Sequence, residues 1–368
     1  MWDRDRSAKP TLSIMATKSI NSIYLNLENN QDLLKAEDIF MFHRANNDKL
    51  IILDEVQQLP EIFIQIRGII DTSRRSGNRN GLFLFLGSAS KDLLKQSGES
   101  LAGRISYKEL FPINILEFAN TDIDKINELW LQGGFPDSLL KSDFDSFNWR
   151  KDFIKTYLER DIPQLGPRIP SKTLERFWTM LAHNQGSIFN VSQISRSLDV
   201  SHTTVIRYLD LMIDLLLVRR LQPYTFNIGR RLVKSPKVYV RDSGINHALL
   251  DIVSYNSLIG HPISGYSWEC FVIENIMSVS PSSVGAYYYR TAKGAEIDLV
   301  LEFNVKELWA IEIKRSSAPK PSKDFYSACE DIQPKKKFII YSGSDTFKIK
   351  HDITIISLYD FMTLLAEI

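Results

Sequence analysis

The chain has 368 residues, of which 44% are hydrophobic and 24% charged, so it can form two or three domains that each bury a core. A net charge of +1 excludes a global attraction to nucleic acid, and binding of that kind would need a local basic patch. The two cysteines, Cys270 and Cys329, are too few and too far apart for a disulfide framework or a zinc ribbon. The sequence has neither a signal-peptide core nor an apolar run of roughly 18 residues, so we expect a cytoplasmic protein without a membrane partner.

Residues 1–120 alternate between helical and strand patterns. This alternation is typical of a doubly wound parallel sheet with helices on its faces. The predicted elements are a helix at 11–18, strands at 22–27 and 50–55, a helix at 61–72 and a strand at 82–87.

Two of these strands end in side chains suited to nucleotide chemistry. The apolar run 50–53 leads directly into Asp54 and Glu55, and the run 82–86 leads into small residues that include Ser88. In nucleotide hydrolases the first carboxylate holds Mg²⁺ and the second orients the attacking water. We therefore predict an ATPase-type sheet in which Asp54 binds Mg²⁺ and Glu55 is catalytic. The alternative is a solvated strand end followed by a helix cap.

The loop that should hold the phosphates is degenerate. Such a loop has the form G-x-x-x-x-G-K-[ST], but here Asp3 and Ala8 stand at the glycine positions and Pro10 at the hydroxyl position. Proline has neither a hydroxyl nor an N–H group to offer. Lys9 and Thr11 remain, either as phosphate contacts or as ordinary surface residues. With no room upstream for the usual preceding strand, we expect ATP binding to be weakened or lost.

The middle of the chain has two features of interest. Arg104 ends the stretch SLAGR and is interpreted either as an arginine finger for a γ-phosphate or as part of a structural ion pair. Residues 121–170 are predicted to form a helical lid or linker, in which Gly133–Pro136 marks a turn.

Residues 171–225 are predicted to form a small helical unit with a helix-turn-helix. Residues 191–198 form its first helix, 199–201 the turn and 202–217 the second helix. Apolar side chains at three- and four-residue spacing mark the buried face of the second helix: Val205, Leu209, Met212 and Leu216. The start of this helix would enter the DNA major groove with Ser201, His202, Thr203, Thr204 and Arg207. The alternative role is plain interdomain packing.

Two stretches of alternating residues near the carboxy terminus predict a β-hairpin. A three-residue turn at 304–306 would place Asp298 opposite Glu312 and Glu296 opposite Lys314. Ile297, Leu299, Ile311 and Ile313 would then all point to the opposite, buried side.

The paired carboxylates of this hairpin indicate a cation site. Carboxylates that face each other repel unless a cation such as Mg²⁺ neutralises them. Asp298 and Glu312 are the predicted metal ligands, Lys314 would assist the attacking water, and Glu269 on an upstream helix could add a further acid. The alternative is a polar strand face with a Glu296–Lys314 surface ion pair, and a different turn length would separate the carboxylates.

Several motifs together resemble a prokaryotic family of AAA-type ATPases that carry the carboxy-terminal domain of unknown function 4143. They are LIILDEVQQLP, FLGSAS, SLAGR, GGFP, YLERDIP, SPKVYVRDSG, SWECFVIEN, RTAKGAEIDLVLE and AIEIKRS. The resemblance covers nearly the whole chain, except that the family has an intact GKT loop at the amino terminus. This chain is therefore expected to begin late or to have lost ATP binding.

The resemblance implies an architecture and a set of site residues. It implies an AAA-type core (1–120), a winged-helix-like middle (171–225) and a restriction-endonuclease-like end (226–368). Asp54 and Glu55 match the acidic strand end and Ser88 the sensor position. Asp298, Glu312 and Lys314 match the nuclease pattern D…E-x-K. Family members are described as ATP-binding, and AAA-type relatives imply a homo-oligomer.

The resulting prediction is an α/β protein with a P-loop-type parallel sheet, a helical winged-helix-like part and an α/β nuclease-like part. Its predicted function is that of an ATPase-derived, DNA-associated protein that uses ATP and Mg²⁺, with nucleotide binding weakened or lost. Lys9, Thr11, Asp54, Ser88 and Arg104 would contact the nucleotide. The alternatives are a metal-dependent nuclease and a non-enzymatic regulator that contacts DNA through Thr203, Thr204 and Arg207.

Overall fold

In a computed structural model of the protein, two units are formed, Met1–Leu110 and Phe111–Ile368. The residues described are 9–77, 80–87, 97–119, 121–165, 169–225, 232–304 and 307–368. None of the helices in these ranges has the length and apolar character that crossing a membrane requires.

The first unit contains the predicted parallel sheet, in the strand order β1-β2-β3. The middle strand is buried on both faces because Ile51, Ile52 and Leu53 are all apolar, which suits a parallel strand covered by helices. Element ends differ from the prediction by a few residues, mostly where a strand is shorter or a helix longer. The elements are α1 (Lys9–Ala16), β1 (Ser22–Asn26), α2 (Asn30–Glu37), α3 (Ile39–Ala45), β2 (Leu50–Asp54), a 3₁₀ turn (Val56–Gln58), α4 (Ile62–Arg75) and β3 (Phe83–Phe85).

The second unit begins with helices, many of which are capped by side chains. Asp122, Ser142 and Asn190, for example, each accept a backbone N–H bond at the start of a helix. The helices up to the first strand are α5 (Ile115–Phe118), α6 (Ile123–Gln132), α7 (Pro136–Leu139), α8 (Asp143–Thr156) with a π-helical continuation (Tyr157–Asp161), α9 (Ile162–Leu165), α10 (Ser171–His183), α11 (Val191–Leu198) and α12 (His202–Asp214).

A mixed sheet of eight strands follows in the second unit, in the order β10-β11-β9-β8-β7-β6-β4-β5. Its strands are β4 (Val218–Pro223), β5 (Lys237–Val240), β6 (Gly285–Arg290), β7 (Glu296–Asn304), β8 (Glu307–Ile313), β9 (Lys336–Tyr341), β10 (Phe347–Ile349) and β11 (Ile353–Ser357). The accompanying helices are α13 (Ser243–Leu249), α14 (Tyr255–Gly260), α15 (Ser264–Val279), α16 (Lys323–Ile332) and α17 (Leu358–Ala366), with a 3₁₀ turn at Lys350–Asp352.

Helices cover both faces of this sheet. Leu299 and Ile311 pack into one apolar cluster with Phe271 of α15 and Phe361 of α17. Side chains of the other face, among them Ala310, pack into a second cluster with α16. The central strands are therefore apolar on both sides, and the polar side chains of β7 and β8 lie near the strand ends.

The observed units do not coincide with the predicted domain boundaries. The predicted boundary after residue 225 falls between β4 and β5, which pair antiparallel through residues such as Val218 and Val240. Since β4 also pairs with β6, strands on either side of that boundary belong to one sheet. The first unit ends at Leu110, ten residues before the predicted boundary at 120.

Candidate functional sites

The acidic strand end of the first unit is formed by Asp54, the last residue of β2, which is 5% exposed. Its carboxylate accepts a hydrogen bond from the Tyr24 hydroxyl and a second, 2.9 Å long, from the backbone N–H of Glu55. Glu55 has φ 53° and ends the strand, and its carboxylate accepts a bond from the Gln57 amide. The two carboxylates thus lie at the carboxyl edge of a parallel sheet with fixed orientations, as predicted.

Only some of the other residues predicted to contact the nucleotide lie among the described residues. Thr11 is exposed in the first turn of α1, while the side chain of Lys9 and all of Ser88 lie outside the described residues. Arg104 binds both carboxylate oxygens of Asp71, at 2.7 and 3.1 Å. This hydrogen bonding lowers the pKa of Asp71 and raises that of Arg104. The geometry is that of the structural ion pair, the alternative to the arginine finger.

Two consecutive helices lie where the helix-turn-helix was predicted, and α11 has the predicted bounds. Ser201 caps α12 by accepting the N–H of Thr204 at 3.1 Å. The two hydroxyls of this pair lie 2.8 Å apart, so the side chain of Thr204 belongs to the cap. Thr203 and Arg207 are exposed on the first two turns, where they are available to a partner.

One residue of the predicted buried face of α12 is placed differently. Val205, Leu209 and Met212 are buried, but the helix ends at Asp214, and Leu216 has φ 58° and is 40% exposed. The left-handed turn directs the chain from α12 into β4 and breaks the helical spacing. The prediction that Leu216 is buried is therefore wrong.

The predicted register of the β7–β8 hairpin is confirmed for the pairs Leu299–Ile311, Val300–Ala310, Leu301–Trp309 and Glu302–Leu308. The predicted turn at 304–306 is wrong at its first residue, because Asn304 ends β7 and pairs with Glu307 after a register shift that follows Glu302. Residues 305 and 306 lie outside the described residues. The paired residues begin at Leu299, so the predicted pair Asp298–Glu312 lies just beyond them. Asp298 Oδ2 accepts a 2.8 Å hydrogen bond from the backbone N–H of Ile313, which holds its carboxylate against β8.

A β-bulge lies at the candidate site. Tyr287 of β6 pairs with Val300 and Tyr289 with Ile297, so Asp298 and Leu299 together lie opposite Tyr288 alone. Bulges redirect side chains and are frequent beside functional sites. In consequence Ile297 packs with the Val300 cluster and not with Leu299, so the prediction that both face the same side is wrong.

Ion pairs in this region also differ from the predicted alternative. Glu296 binds Lys237, with Nζ 2.9 Å from Oε1, and Arg290, with Nε 3.5 Å from Oε2. Lys314 instead binds Glu312, with Nζ 2.8 Å from Oε1. The expected Glu296–Lys314 pair is therefore replaced by two separate pairs.

Glu312 is held in place by the backbone as well as by Lys314. It is 4% exposed, and its two carboxylate oxygens lie 3.3 and 3.2 Å from the backbone N–H of Ser322, just before α16. The side chain of Lys314 is 36% exposed. Glu312 and Lys314 are the E-x-K residues of the predicted pattern, and Lys314 also interacts electrostatically with Asp298.

Lys237 and Tyr239 of β5 are not among the predicted site residues, although both lie in the motif SPKVYVRDSG. The Lys237 ammonium is 3.1 Å from Glu269 Oε1, and the Tyr239 hydroxyl donates to the same oxygen at 2.6 Å. Their distance in sequence from the hairpin explains why spacing did not single them out. They connect the upstream acid Glu269 to the hairpin.

The electrostatics of this cluster favour one protonated carboxyl group near neutral pH. Burial and, next, the Glu269 carboxylate raise the pKa of Asp298 to about 7, against the opposing effect of Lys237. Burial alone would lower the pKa values of Lys237 and Lys314, but the surrounding carboxylates outweigh it and raise both. Asp298 therefore gains or loses its proton near neutral pH.

A metal ion would have few ligands here. Throughout the ranges that the structure describes, no group of three or more His, Cys, Asp or Glu side chains is arranged to hold a metal ion. Asp298 and Glu312 would supply two carboxylates, a set that Mg²⁺ accepts when water and substrate phosphate complete its shell. The Mg²⁺ site predicted for this hairpin therefore stays a prediction, and substrate phosphate and water would have to complete the shell of the ion.

Sequence profiles of three known families match successive parts of the chain. Residues 6–119 match an AAA domain, residues 123–256 a domain of unknown function (DUF8612) and residues 264–361 a domain of unknown function (DUF4143). An uncharacterized protein of Mycobacterium tuberculosis is 39% identical over 360 residues, which are 97% of this chain and 79% of the relative. The chain belongs to the family of AAA-domain proteins with a carboxy-terminal DUF4143 domain. The resemblance drawn from the motifs is confirmed.

Two more distant matches complete the comparison. An uncharacterized protein of Methanocaldococcus jannaschii is 24% identical over 367 residues, covering 86% of this chain and 79% of the relative. The Aeropyrum pernix ORC1 protein in complex with DNA matches 66% of this chain and 81% of its own, with a TM-score of 0.25 and 12% identity. A TM-score this low carries no argument about fold or ligand. Function must therefore be inferred from the sites of the AAA–DUF4143 chain itself.

Proposed function

We propose that the AAA unit of this chain is a nucleotide-binding, ATPase-derived module whose affinity for Mg-ATP is weakened. The observation that supports this is the placement of Asp54 and Glu55 at the carboxyl edge of a parallel sheet, with the Asp54 carboxylate oriented by Tyr24 and by the Glu55 N–H. Ligands of open α/β sheets bind at this edge. Asp54 would hold Mg²⁺, which screens phosphate charge, and Glu55 would orient water.

The weakening follows from the phosphate loop. Pro10 can supply neither a hydroxyl ligand for Mg²⁺ nor a backbone N–H for phosphate, and Asp3, at a glycine position of the motif, would add negative charge near a bound phosphate. Lys9 and Thr11 keep their residue types and would supply the remaining phosphate contacts. We expect binding in the range of high micromolar to millimolar Mg-ATP and slow or no hydrolysis.

Thermal melting with increasing Mg-ATP tests this proposal. The wild-type chain should be stabilised, and Asp54→Asn, which keeps an acceptor for Tyr24, should abolish the effect. Asp48→Asn is the matched control, because Asp48 is an exposed carboxylate of the same unit, bonded to Asn21. Stabilisation that survives Asp54→Asn would refute the site, and no stabilisation of the wild type would mean that binding is lost.

A second candidate function, metal-dependent cleavage of nucleic acid, is favoured by the hairpin. Three observations support it: the Asp298 carboxylate is bonded to the Ile313 N–H of β8, Lys314 binds Glu312, and Asp298 interacts electrostatically with Lys314. A bound Mg²⁺ would polarise a phosphate and acidify water. Asp298 and Glu312 would hold the ion, and the Lys314 ammonium would stabilise the negative charge that develops on the phosphate oxygens.

Plasmid cleavage with Mg²⁺ and with Mn²⁺ tests the second function. Cutting should require a metal and should disappear in Asp298→Ala. It should persist in the control Asp352→Ala, which removes an exposed carboxylate paired with Lys348. If neither metal supports cutting by the wild-type chain, the nuclease proposal fails.

DNA is the partner that we propose for the helix-turn-helix. Thr203 and Arg207 are exposed at the start of α12, where this motif contacts the major groove. Arg207→Ala should weaken retention on DNA and reduce its salt dependence by about one counterion. The control is Arg75→Ala, which removes an exposed arginine at the end of α4 and should leave DNA retention unchanged. Equal retention by wild type and Arg207→Ala would exclude this surface.

A further inference from the structure

Lys237 is a buried lysine held between two acidic side chains. It is 3% exposed, and its Nζ lies 3.1 Å from Glu269 Oε1 and 2.9 Å from Glu296 Oε1. Glu269 comes from α15 and Glu296 from the first position of β7, so a single ammonium joins a helix to the hairpin. Tyr239 adds a hydrogen bond to Glu269, which fixes that carboxylate further.

The position of this ammonium is fixed by the fold. The backbone of Lys237 pairs with Leu221 of β4 and also bridges to Ile188, so the lysine begins its strand between two partners. Its Nζ lies 5.6 Å from the ring centroid of Tyr288, the residue opposite the bulge that contains Asp298. A lysine held in this way cannot withdraw to solvent without breaking two ion pairs.

The side chains around Lys237 are carboxylates, the groups that bind divalent cations. Glu269, Glu296 and Asp298 all interact electrostatically with this one ammonium. The ammonium satisfies Glu269 and Glu296 by direct contact, whereas Asp298 is bonded to the backbone of β8 and Glu312 to Lys314. Lys237 therefore occupies Glu269 and Glu296, whereas Asp298 and Glu312 have other partners.

We infer that Lys237 is a positioning residue that acts as a resident cation: it withholds Glu269 and Glu296 from metal and so lowers the divalent-metal affinity of the Asp298–Glu312 pair. This inference rests on the metal site proposed above. A nearby positive charge repels an incoming ion, and it also occupies the carboxylates that would otherwise complete the ligand set. The wild-type site would then take its metal together with a phosphate-bearing substrate.

The inference is tested by titrating the full chain with Mn²⁺. Calorimetry and the electron paramagnetic resonance signal of free Mn²⁺ both report the affinity. Lys237→Met should bind Mn²⁺ at least tenfold more tightly than wild type, and its melting temperature should rise more on addition of Mn²⁺. Lys237→Arg keeps the charge and should behave as wild type. Lys335→Met, which removes an exposed lysine paired with Glu307, is the control for loss of a charge elsewhere.

The outcomes separate this inference from the metal site on which it rests. Equal Mn²⁺ affinity in wild type and Lys237→Met would overturn the inference and leave the metal site standing. Binding by Lys237→Met alone would support the inference and refute metal binding by the wild type, while no binding by either would refute both. If Lys237→Met does not fold even with Mn²⁺, Lys237→Gln decides in the same way, because it also removes the positive charge but keeps a polar side chain in the buried site.

Discussion

Replacing Asp298 with asparagine should stabilise the protein at alkaline pH. The carboxyl group is half-buried, with one oxygen bonded to the Ile313 N–H, and burial together with Glu269 raises its pKa to about 7. Asparagine keeps the shape and an acceptor for that N–H group but cannot ionise. The substitution therefore removes the cost of a buried negative charge and little else.

The size and the pH window of the effect follow from linkage. Between pH 3.8 and about 7 the folded chain keeps a proton on Asp298 that the unfolded chain releases, so wild-type stability falls as pH rises through this window. A shift of this size corresponds to about 4 kcal/mol at 1.36 kcal/mol per unit. Solvent screening at a half-buried group reduces this to about 2–4 kcal/mol. Asp298→Asn should match wild type near pH 4 and exceed it by this amount near pH 8.

Urea unfolding at a series of pH values, followed by tryptophan fluorescence, measures this difference. Five of the six tryptophans, all except Trp2, lie in residues 111–368, so the signal reports mainly on the unit that contains Asp298. Asp352→Asn, at an exposed carboxylate, should show no such trend. A free-energy difference between Asp298→Asn and wild type that is constant from pH 4 to pH 8 would refute the raised pKa and the charge arrangement behind it.

Three further predictions concern the packing of the second unit. A Cβ at Gly244 would lie 2.0 Å from a backbone oxygen, so Gly244→Ala should prevent stable folding. A Cβ at Gly265 would meet nothing within 4 Å, so Gly265→Ala should stabilise α15 by about 0.5–1 kcal/mol, as measured by urea unfolding. Burial lowers the pKa of His247 from its usual value of 6.5 to about 3. The free energy of unfolding should therefore fall on acidification below pH 6.5 by about 1.4 kcal/mol per pH unit, because the unfolded chain takes up a proton that the folded chain does not. His247→Gln should remove that slope in urea unfolding at the same series of pH values. Leu215→Ala should cost about 2–4 kcal/mol because Leu215 is 8% exposed, but Leu216→Gly should be nearly neutral because it relieves a φ of 58°.

Local patterns predicted much of the architecture. The run 50–53 followed by Asp54 indicated a buried parallel strand with carboxylates at its end, and β2 has that form. Ser201 was identifiable as a helix cap because serine accepts the orphan N–H groups of a first turn. The hairpin register from Leu299 to Glu302 followed from alternation, although the predicted turn at 304–306 is wrong because Asn304 still belongs to β7. Each of these features depends on residues that are close in sequence.

The parts that escaped prediction depend on contacts between distant segments. Lys237 reaches Glu269 and Glu296 only because β5 packs against α15 and β7, and no spacing rule relates these residues. The bulge at Asp298 appears only when β7 is paired with β6, since the β7–β8 pairing is regular beside it. The partner of Arg104 is likewise a long-range one, Asp71 on α4.

The two candidate sites, in separate units, share one physical feature. In each, the predicted metal-binding carboxylates already accept hydrogen bonds or ion pairs from the protein: Asp54 from Tyr24 and the Glu55 N–H, and Glu312 from Lys314 and the Ser322 N–H. An incoming cation must compete with these donors, which reduces its affinity unless a substrate phosphate supplies further ligands. Both sites should therefore bind metal more tightly with a phosphate-bearing ligand than alone. Equal Mn²⁺ affinity with and without nucleotide or oligonucleotide would contradict this reasoning.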